Sequence, residues 1–239
     1  MLQLKDVNYV VKDELGEKAI LKNVNLTIDE RFVAITGPNG GGKSTLAKVI
    51  AGIIKPTSGR IYLDGEDITD LSVTERAQKG ISYAFQQPVR FKGLTVRDLI
   101  NIASGKTVKV ADACAYLSEV GMCARDYIDR EVNDSLSGGE LKRIEIATIL
   151  ARSTKLSVFD EPEAGIDLWS FGSLIKVFES MHEKTKGNIL IISHQERILN
   201  IADRIVVIAD GQVQSEGEKD KILPGLLASD TCKTLTDKL

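Results

Sequence analysis

The stretch "RFVAITGPNGGGKSTLAKVIAG", residues 31–52, gives the clearest indication of the fold of this chain. It opens with a short apolar run of the kind that forms a buried strand. It then passes through a loop rich in glycine and continues with apolar residues at the spacing of one helix face. Residues 37–44 match G-x-x-x-x-G-K-[ST], which binds phosphate when a strand precedes it and a helix follows. Both flanking elements are predicted, so we expect a nucleotide phosphate site where the loop meets the helix.

The residue types in this loop serve phosphate binding in different ways. Glycines let the backbone approach an anion closely, and successive N–H groups attract it together with the helix N-terminus. Lys43 is expected to reach the β- and γ-phosphates, the Ser44 hydroxyl to bind Mg²⁺, and Thr45 to lie near the α-phosphate. The alternative, an ordinary glycine-rich turn, is disfavoured because motif and context agree. The residues predicted to bind the nucleotide are Gly37, Pro38, Asn39, Gly40, Gly41, Gly42, Lys43, Ser44 and Thr45.

Two acidic residues follow a second apolar strand in "KLSVFDEPEAG", residues 155–165. Ligands of parallel α/β sheets lie at the carboxyl ends of the strands, so Asp160 is expected near the phosphate loop. We expect Asp160 to hold Mg²⁺. Glu161, one residue further on, is expected to orient or deprotonate the attacking water. The alternative is an acidic turn that caps the next helix.

Two more polar residues follow predicted strands. His194 comes after "NILIIS", and the helix between this strand and that of Asp160 makes a βαβ unit, so the two strands can lie parallel and close. Gln86 follows "ISYAF" and is expected to contact Mg²⁺ or the attacking water. Gln87 is its rival, and Gln86 is favoured because it follows the apolar run directly. The predicted catalytic residues are therefore Glu161, His194 and Gln86, and the predicted metal ligands are Ser44, Gln86 and Asp160.

Strands and helices alternate along most of the chain, which is typical of a parallel sheet with crossover helices. The N-terminal residues alternate in the manner of strands, whereas residues 87–136 have helical periodicity and few β-branched runs. We therefore predict one α/β domain over residues 1–239. The phosphate-loop NTPase core has a parallel sheet, comprises residues 1–86 and 137–239, and includes an N-terminal antiparallel β subdomain. A helical subdomain, residues 87–136, is inserted into this core.

The composition of the chain indicates its cellular compartment and the class of partner that it binds. The 239 residues carry a net charge of −3 without a basic cluster, which argues against nucleic acid as a partner. Three cysteines without a C-x-x-C pair indicate a reducing compartment. The apolar runs are far shorter than the ~20 residues of a membrane helix. We expect a cytoplasmic protein, peripheral at the membrane if a separate membrane subunit holds it.

A second glycine pair occurs in "SLSGGELKR", residues 135–143. Ser137 and Glu140 have the spacing of a capping box, but a capping box does not explain two glycines at the start of a helix. Bare N–H groups and a serine at a helix N-terminus make a second anion site. One nucleotide cannot occupy two distant sites of one chain, whereas two nucleotides can lie between two chains in an isologous dimer. We therefore expect the γ-phosphate of the nucleotide held by a second copy to bind at Ser137, Gly138, Gly139 and Glu140.

The motifs "GPNGGGKST", "FQQP", "LSGGE", "LSVFDEP" and "SHQ", in this order, resemble the nucleotide-binding domain of ABC ATPases over nearly the whole chain. The resemblance implies an ATPase that uses ATP and Mg²⁺. It also implies that Asp167 contacts the partner chain. The family stacks adenine on an aromatic residue near the end of the first strand. That position falls at Val11, with Tyr9 two residues earlier on the same strand face as the other candidate.

Several stretches resemble SufC, the soluble ATPase of Suf-type iron–sulfur cluster assembly: "AFQQPV", "SGGELKRIEI", "EAGID" and "SHQERIL". This resemblance implies a SufB/SufD-like soluble scaffold as partner. Pro162 and "LTVRDLI" are instead common in transporter ATPases, so the alternative is the ATP-binding subunit of an ABC membrane transporter with a transmembrane permease as partner. In either case the expected docking surface follows Gln86 and comprises Val89, Arg90 and Phe91, unless Phe91 packs into its own subdomain.

Overall fold

The computed structural model describes residues 1–13 and 16–236, with the side chains at 13, 168, 169 and 229–236 excepted. The strands of this part of the chain are β1 (Leu2–Asp13), β2 (Gly16–Ile28), β3 (Phe32–Thr36), β4 (Ser58–Leu63), β5 (Glu66–Asp67), β6 (Ile81–Ala84), β7 (Phe91–Thr95), β8 (Glu131–Val132), β9 (Leu156–Asp160), β10 (Asn188–Ile192), β11 (Arg204–Ala209) and β12 (Gln212–Glu218). The helices are α1 (Lys43–Ala51), α2 (Val73–Gln78), α3 (Val96–Ser104), α4 (Val110–Glu119), α5 (Ala124–Tyr127), α6 (Gly138–Arg152), α7 (Leu168–Lys184), α8 (Glu196–Leu199) and α9 (Lys219–Thr236).

A six-stranded sheet in the order β12-β11-β3-β10-β9-β6 forms the centre of the fold. Its strands from β11 to β6 are parallel, and β12 joins the edge antiparallel. The apolar run of β3 is buried on both faces because alternate residues enter different cores. Phe32 and Ala34 pack with α6 and α7, whereas Val33 and Ile35 pack with α1 and the N-terminal strands. The predicted parallel α/β core is confirmed.

An antiparallel sheet in the order β2-β1-β4-β5 lies on the α1 side of the central sheet. Leu4 and Val7 of β1 share a core with Leu46 and Ile50 of α1, so this helix is enclosed between two sheets. The N-terminal antiparallel β subdomain is therefore confirmed. The pairing of β1 with β2 continues as far as Asp13 and Gly16, beyond the apolar residues of both strands.

The segment 87–136 contains α3, α4 and α5, as its helical periodicity predicted. It also contains β7 and β8, which pair antiparallel and which the periodicity did not predict. Strand β7, "FKGLT", lacks alternating apolar residues, and β8 has only two residues, so neither shows a strand pattern. Helix α6 packs against α3 and α4, since Leu141 and Ile144 share a core with Ile100 and Leu117. The helix that carries the second glycine pair thus contacts both the inserted segment and the central sheet.

A buried arginine fixes the C-terminal end of α1. Arg76 of α2 is 1% exposed, and its guanidinium donates to the backbone oxygens of Val49 at 2.7 Å, Ile50 at 2.9 Å and Thr69 at 2.8 Å. The last carbonyls of a helix have no partner within the helix and carry partial negative charge. Arg76 therefore satisfies and neutralises the end of α1 that lies opposite the phosphate loop.

Among the helices of the described residues, none combines the length and the apolar character that crossing a bilayer requires.

Candidate active site

The phosphate loop lies between β3 and α1 and packs closely on β11. Gly37 has a φ of 129°, and a Cβ on it would lie 2.1 Å from the backbone oxygen of Ile208. A Cβ on Gly41 would lie 2.9 Å from the same oxygen, and one on Gly42 would lie 3.0 Å from the backbone oxygen of Ile20. The 2.1 Å contact excludes a side chain at Gly37, and side chains at the other two positions would force the neighbouring backbone to shift, so the neighbouring strands, as well as an anion, favour these glycines.

A glycine outside the predicted motifs holds the phosphate loop from a distant part of the chain. Gly211, between β11 and β12, donates its N–H to the oxygen of Gly41 at 3.0 Å and accepts from the N–H of Lys22 at 2.8 Å. Asp210 and Gly211 both have positive φ, at 52° and 77°. An Asp-Gly pair directly after an apolar strand is a signal for such a hairpin turn, and the sequence contains it.

The lysine of the loop is buried and aimed into it. Lys43 is 5% exposed, and its Nζ donates to the backbone oxygens of Gly37 at 2.8 Å and Pro38 at 2.9 Å. Burial lowers the pKa of Lys43, and the charges of Glu161 and Asp160 oppose that shift. The ammonium group therefore lies among loop oxygens and near two carboxylates, where it can exchange carbonyl partners for phosphate oxygens.

Asp160 ends β9 as a buried carboxylate with two hydroxyl partners. Ser44 Oγ donates to Asp160 Oδ1 at 2.8 Å, and Tyr83 Oη donates to Asp160 Oδ2 at 2.7 Å. Burial, with a further contribution from the bond to Asp160, raises the pKa of Tyr83. Oxygen ligands of this kind suit Mg²⁺, so Ser44 and Asp160 are fit to hold it. Tyr83 was not predicted, although it lies near the end of a strand that pairs with β9.

The three predicted catalytic side chains lie together. Gln86 Nε2 donates to Glu161 Oε2 at 2.7 Å, and His194 Nε2 lies 3.8 Å from Glu161 Oε1. Strands β9 and β10 are parallel, with Asp160 opposite Ile192, as the βαβ interpretation predicted. Glu161 has a φ of 46°, unusual for a residue with a side chain, and its N–H donates to the oxygen of Ile192 at 3.0 Å. The backbone turns at Glu161, and its carboxylate meets both neighbours.

A third acidic residue, not predicted to act, connects the segment after Glu161 with the strand before His194. Ser193 Oγ donates to Glu163 Oε1 at 2.5 Å and accepts from the N–H of Gln195 at 3.0 Å. Burial raises the pKa of Glu163, and its Oε2 is buried with no hydrogen-bond partner among the described residues. No pattern in the sequence distinguishes Glu163 from a solvent-exposed acid.

The second glycine pair begins α6. Ser137 Oγ accepts from the N–H of Glu140 at 3.3 Å, and the Glu140 carboxylate accepts from the N–H of Ser137 at 2.7 Å, so the predicted capping box is confirmed. Tyr127 donates to Glu140 and lowers the pKa of that carboxyl. Cβ atoms on Gly138 and Gly139 would meet nothing within 3.8 Å, and neither residue has positive φ. One chain alone does not require these glycines, unlike those of the phosphate loop.

The remaining predicted residues have local structural roles in one chain. Asp167 Oδ1 accepts from the N–H of Ser170 at 3.0 Å, at the beginning of α7. Tyr9 is half-buried against the core around α1, whereas Val11 is 37% exposed. The contact of Asp167 with a partner chain stays a prediction. The contact of Tyr9 or Val11 with adenine also stays a prediction.

Comparison with known proteins decides the family. The sequence profile described as ABC transporter matches residues 21–164. The chain belongs to the ABC transporter family. It is 42% identical over 217 residues to an uncharacterized ABC transporter ATP-binding protein of Methanocaldococcus jannaschii, covering 87% of this chain and 86% of that protein. It is 34% identical over 232 residues to an energy-coupling factor transporter ATP-binding protein of Mycoplasma mobile, covering 93% and 82%.

The structure agrees with a solved member of the ABC family. A dimeric ATP-binding cassette in a post-hydrolysis state, bound to ADP and Pi, superposes with a TM-score of 0.81 at 27% identity and covers 92% of this chain and 99% of that one. The chain is accordingly an ATP hydrolase that uses Mg²⁺ as its cofactor, as its motifs predicted. Closeness to SufC is not confirmed, because the relatives above are named as transporter ATP-binding proteins.

Proposed function

We propose that the chain is the ATP-binding subunit of an ABC membrane transporter, which hydrolyses MgATP and passes the resulting movement to a permease. The observation that carries the proposal is an apolar groove of about 310 Å³ next to residues 85–90, the loop between β6 and β7 that contains Gln86. Its lining includes large apolar side chains that are exposed to solvent: Ile53, Val73, Phe85, Val89 and Phe91. Exposed apolar side chains gathered in one groove are typical of a protein–protein contact.

Within one chain the roles divide along the loop and the strand ends. The loop residues 37–45 hold the phosphates, and Ser44, Asp160 and Gln86 hold the Mg²⁺ that neutralises their charge. Glu161 orients or deprotonates the attacking water, with Gln86 and His194 fixing its carboxylate. The 2.7 Å bond from Gln86 and the nearby His194 ring support this division.

A second copy completes each site. Ser137, Gly138 and Gly139 cap the γ-phosphate held by the other chain, Asp167 contacts that chain, and Tyr9 or Val11 stacks on adenine. Two observations support the arrangement: the glycines of α6 have no steric reason within one chain, and a similar cassette has been solved as a dimer. The dimer is head-to-tail and isologous, because each chain gives the same two surfaces.

The names of the relatives favour a permease as the partner. A second candidate is a SufC-like role with a SufB/SufD-like soluble scaffold, which "SGGELKRIEI" and "SHQERIL" favour. Both candidates place the chain in the cytoplasm, peripheral at the membrane in the transporter case, and neither involves nucleic acid.

Capture of the partner separates the two candidates. The tagged chain is applied to solubilised membranes and, separately, to the soluble fraction, and bound proteins are identified by mass spectrometry. Phe91→Glu places a charge in the groove and should abolish specific capture. Ile102→Glu is the matched control, because Ile102 is exposed on α3 outside the groove. An integral membrane protein lost with Phe91→Glu supports the transporter. A soluble protein lost in the same way replaces it with the assembly role, and capture insensitive to Phe91 contradicts the groove as the contact.

A further inference from the structure

Both backbone polar groups of Phe85 are held by side chains of α6. The N–H of Phe85 donates to Glu145 Oε1 at 3.0 Å, and Lys142 Nζ donates to the oxygen of Phe85. Lys142 Nζ and Glu145 Oε2 lie 3.0 Å apart, so the two side chains form an ion pair that also binds the N–H and the C=O of one residue, Phe85. This Lys142–Glu145 clamp fixes the chain directly after β6, where the sheet ends.

Phe85 stands between two parts of the molecule with different tasks. The next residue, Gln86, donates to Glu161 Oε2 at 2.7 Å. At the other end of the contact, Lys142 and Glu145 follow the Ser137 cap within the first turns of α6. At about 1.5 Å of rise per residue, the clamp lies within roughly 10 Å of the helix start. A displacement of that end of the helix is therefore transmitted to Gln86 over a short, rigid path.

Burying the charges of Lys142 and Glu145 costs hydration free energy, so the pair requires a functional explanation. Lys142 is 1% exposed, and Glu145 is largely buried among the apolar side chains of the groove. A buried ion pair must offset the loss of hydration of both charges, and apolar residues of similar volume often stabilise a core equally well or better. Apolar residues could not fix the backbone of Phe85 in this way, because both clamp contacts are hydrogen bonds to its N–H and C=O groups.

We propose that Lys142 and Glu145 are positioning residues that set the distance between Gln86 and the Glu161 carboxylate from the helix that carries the SGGE motif. The inference rests on the proposed role of Glu161 and Gln86 in hydrolysis. Neither clamp residue belongs to the predicted nucleotide site, and each acts through the Phe85 backbone. When the start of α6 moves against the γ-phosphate of a second copy, the clamp moves Gln86 with it.

The test is a double-mutant cycle in steady-state ATP hydrolysis by the full chain. Lys142→Met removes the donor to Phe85 and keeps the apolar stem. It should lower kcat about 10- to 100-fold, because a misplacement of about 1 Å costs up to roughly 10²-fold. KM for MgATP should change by less than about two-fold. Since the clamp acts through Gln86, Lys142→Met combined with Gln86→Ala should be no slower than Gln86→Ala alone. Multiplying effects, or an unchanged kcat, would overturn the proposal.

Three controls make the result specific. Arg152→Met removes another hydrogen bond from an α6 cation to backbone, at the oxygen of Ala77 in α2, and should leave kcat unchanged. If Lys142→Met does not fold, Glu145→Leu, which removes the acceptor of the Phe85 N–H, enters the same cycle with the same criterion. Glu161→Gln tests the underlying assignment: normal hydrolysis by that variant would refute the role of Glu161, whereas loss of hydrolysis with additive clamp variants would refute only the clamp.

Discussion

Gly139→Ala should stabilise the folded chain and impair its catalytic assembly. Gly139 is the second residue of α6, and its Cβ would lie 3.8 Å from Ser170 Oγ, an ordinary contact. Alanine in a helix is favoured over glycine by about 0.5–1 kcal/mol. The nucleotide-free chain should therefore gain about that much unfolding free energy in urea titrations.

The same methyl group should weaken capping of a γ-phosphate from a second copy. It would occupy the space through which the backbone N–H approaches the phosphate, and a displacement of about 1 Å costs up to roughly 10²-fold in rate. Hydrolysis should fall by about that factor. In the Glu161→Gln background, light scattering with MgATP should report less dimer at a given protein concentration.

Gly172→Ala is the matched control for this prediction. Gly172 lies in α7, and a Cβ there would meet nothing within 4 Å, so alanine should add similar stability and leave hydrolysis unchanged. A Gly139→Ala chain that hydrolyses ATP and dimerises as the parent does would refute the close approach at Gly139. Lower stability of the nucleotide-free chain would refute the claim that one chain does not need this glycine.

Three further predictions concern the base, the buried arginine and a buried acid. Glu161→Gln should slow hydrolysis by about 10²–10⁴-fold while nucleotide affinity, measured by calorimetry, stays the same; weaker binding with normal turnover would argue against its role. Arg76→Leu should lower the unfolding free energy by about 3 kcal/mol or more, because several buried carbonyls lose their donor, and a loss below about 1 kcal/mol in urea titrations would contradict that account. Burial raises the pKa of Glu163, so the native state binds more protons than the unfolded state, and this side chain opposes stability increasingly as pH rises above its unfolded pKa. Glu163→Gln should therefore gain stability relative to the parent as the pH rises above the unfolded pKa of a glutamate, about 4.3, and a pH-independent difference between the two chains would exclude a shifted Glu163.

The parts of the fold that could be predicted are those in which a local pattern has one physical cause. The run from Phe32 to Thr36 is buried on both faces, and such runs occur in parallel sheets covered by helices. Strand β7 was missed because its partner β8 lies far away in sequence and contributes only two residues. Pairing between such short segments depends on the packing of the inserted helices, which no short window of sequence contains.

The site divides in the same way. The residues of the phosphate loop and the strand-end side chains Gln86, Asp160, Glu161 and His194 could be named because their positions follow from strand direction. Tyr83, Glu163 and the Lys142–Glu145 clamp could not, because their partners come from other elements and are fixed only by tertiary packing. In α6 the clamp residues even resemble an ordinary exposed i, i+3 pair of opposite charges.

The position of β3 in the sheet has a consequence for synthesis of the chain on the ribosome. Its two neighbours, β10 and β11, begin at residues 188 and 204. About 150 further residues must therefore be synthesised after β3 before either neighbour exists. At about 5–20 residues per second this delay lasts roughly ten seconds or more. Gly211, which holds Gly41, emerges later still. A nascent chain therefore displays the loop sequence long before the residues that complete the nucleotide site have been made, and we expect ATP binding only after synthesis of the β11–β12 hairpin.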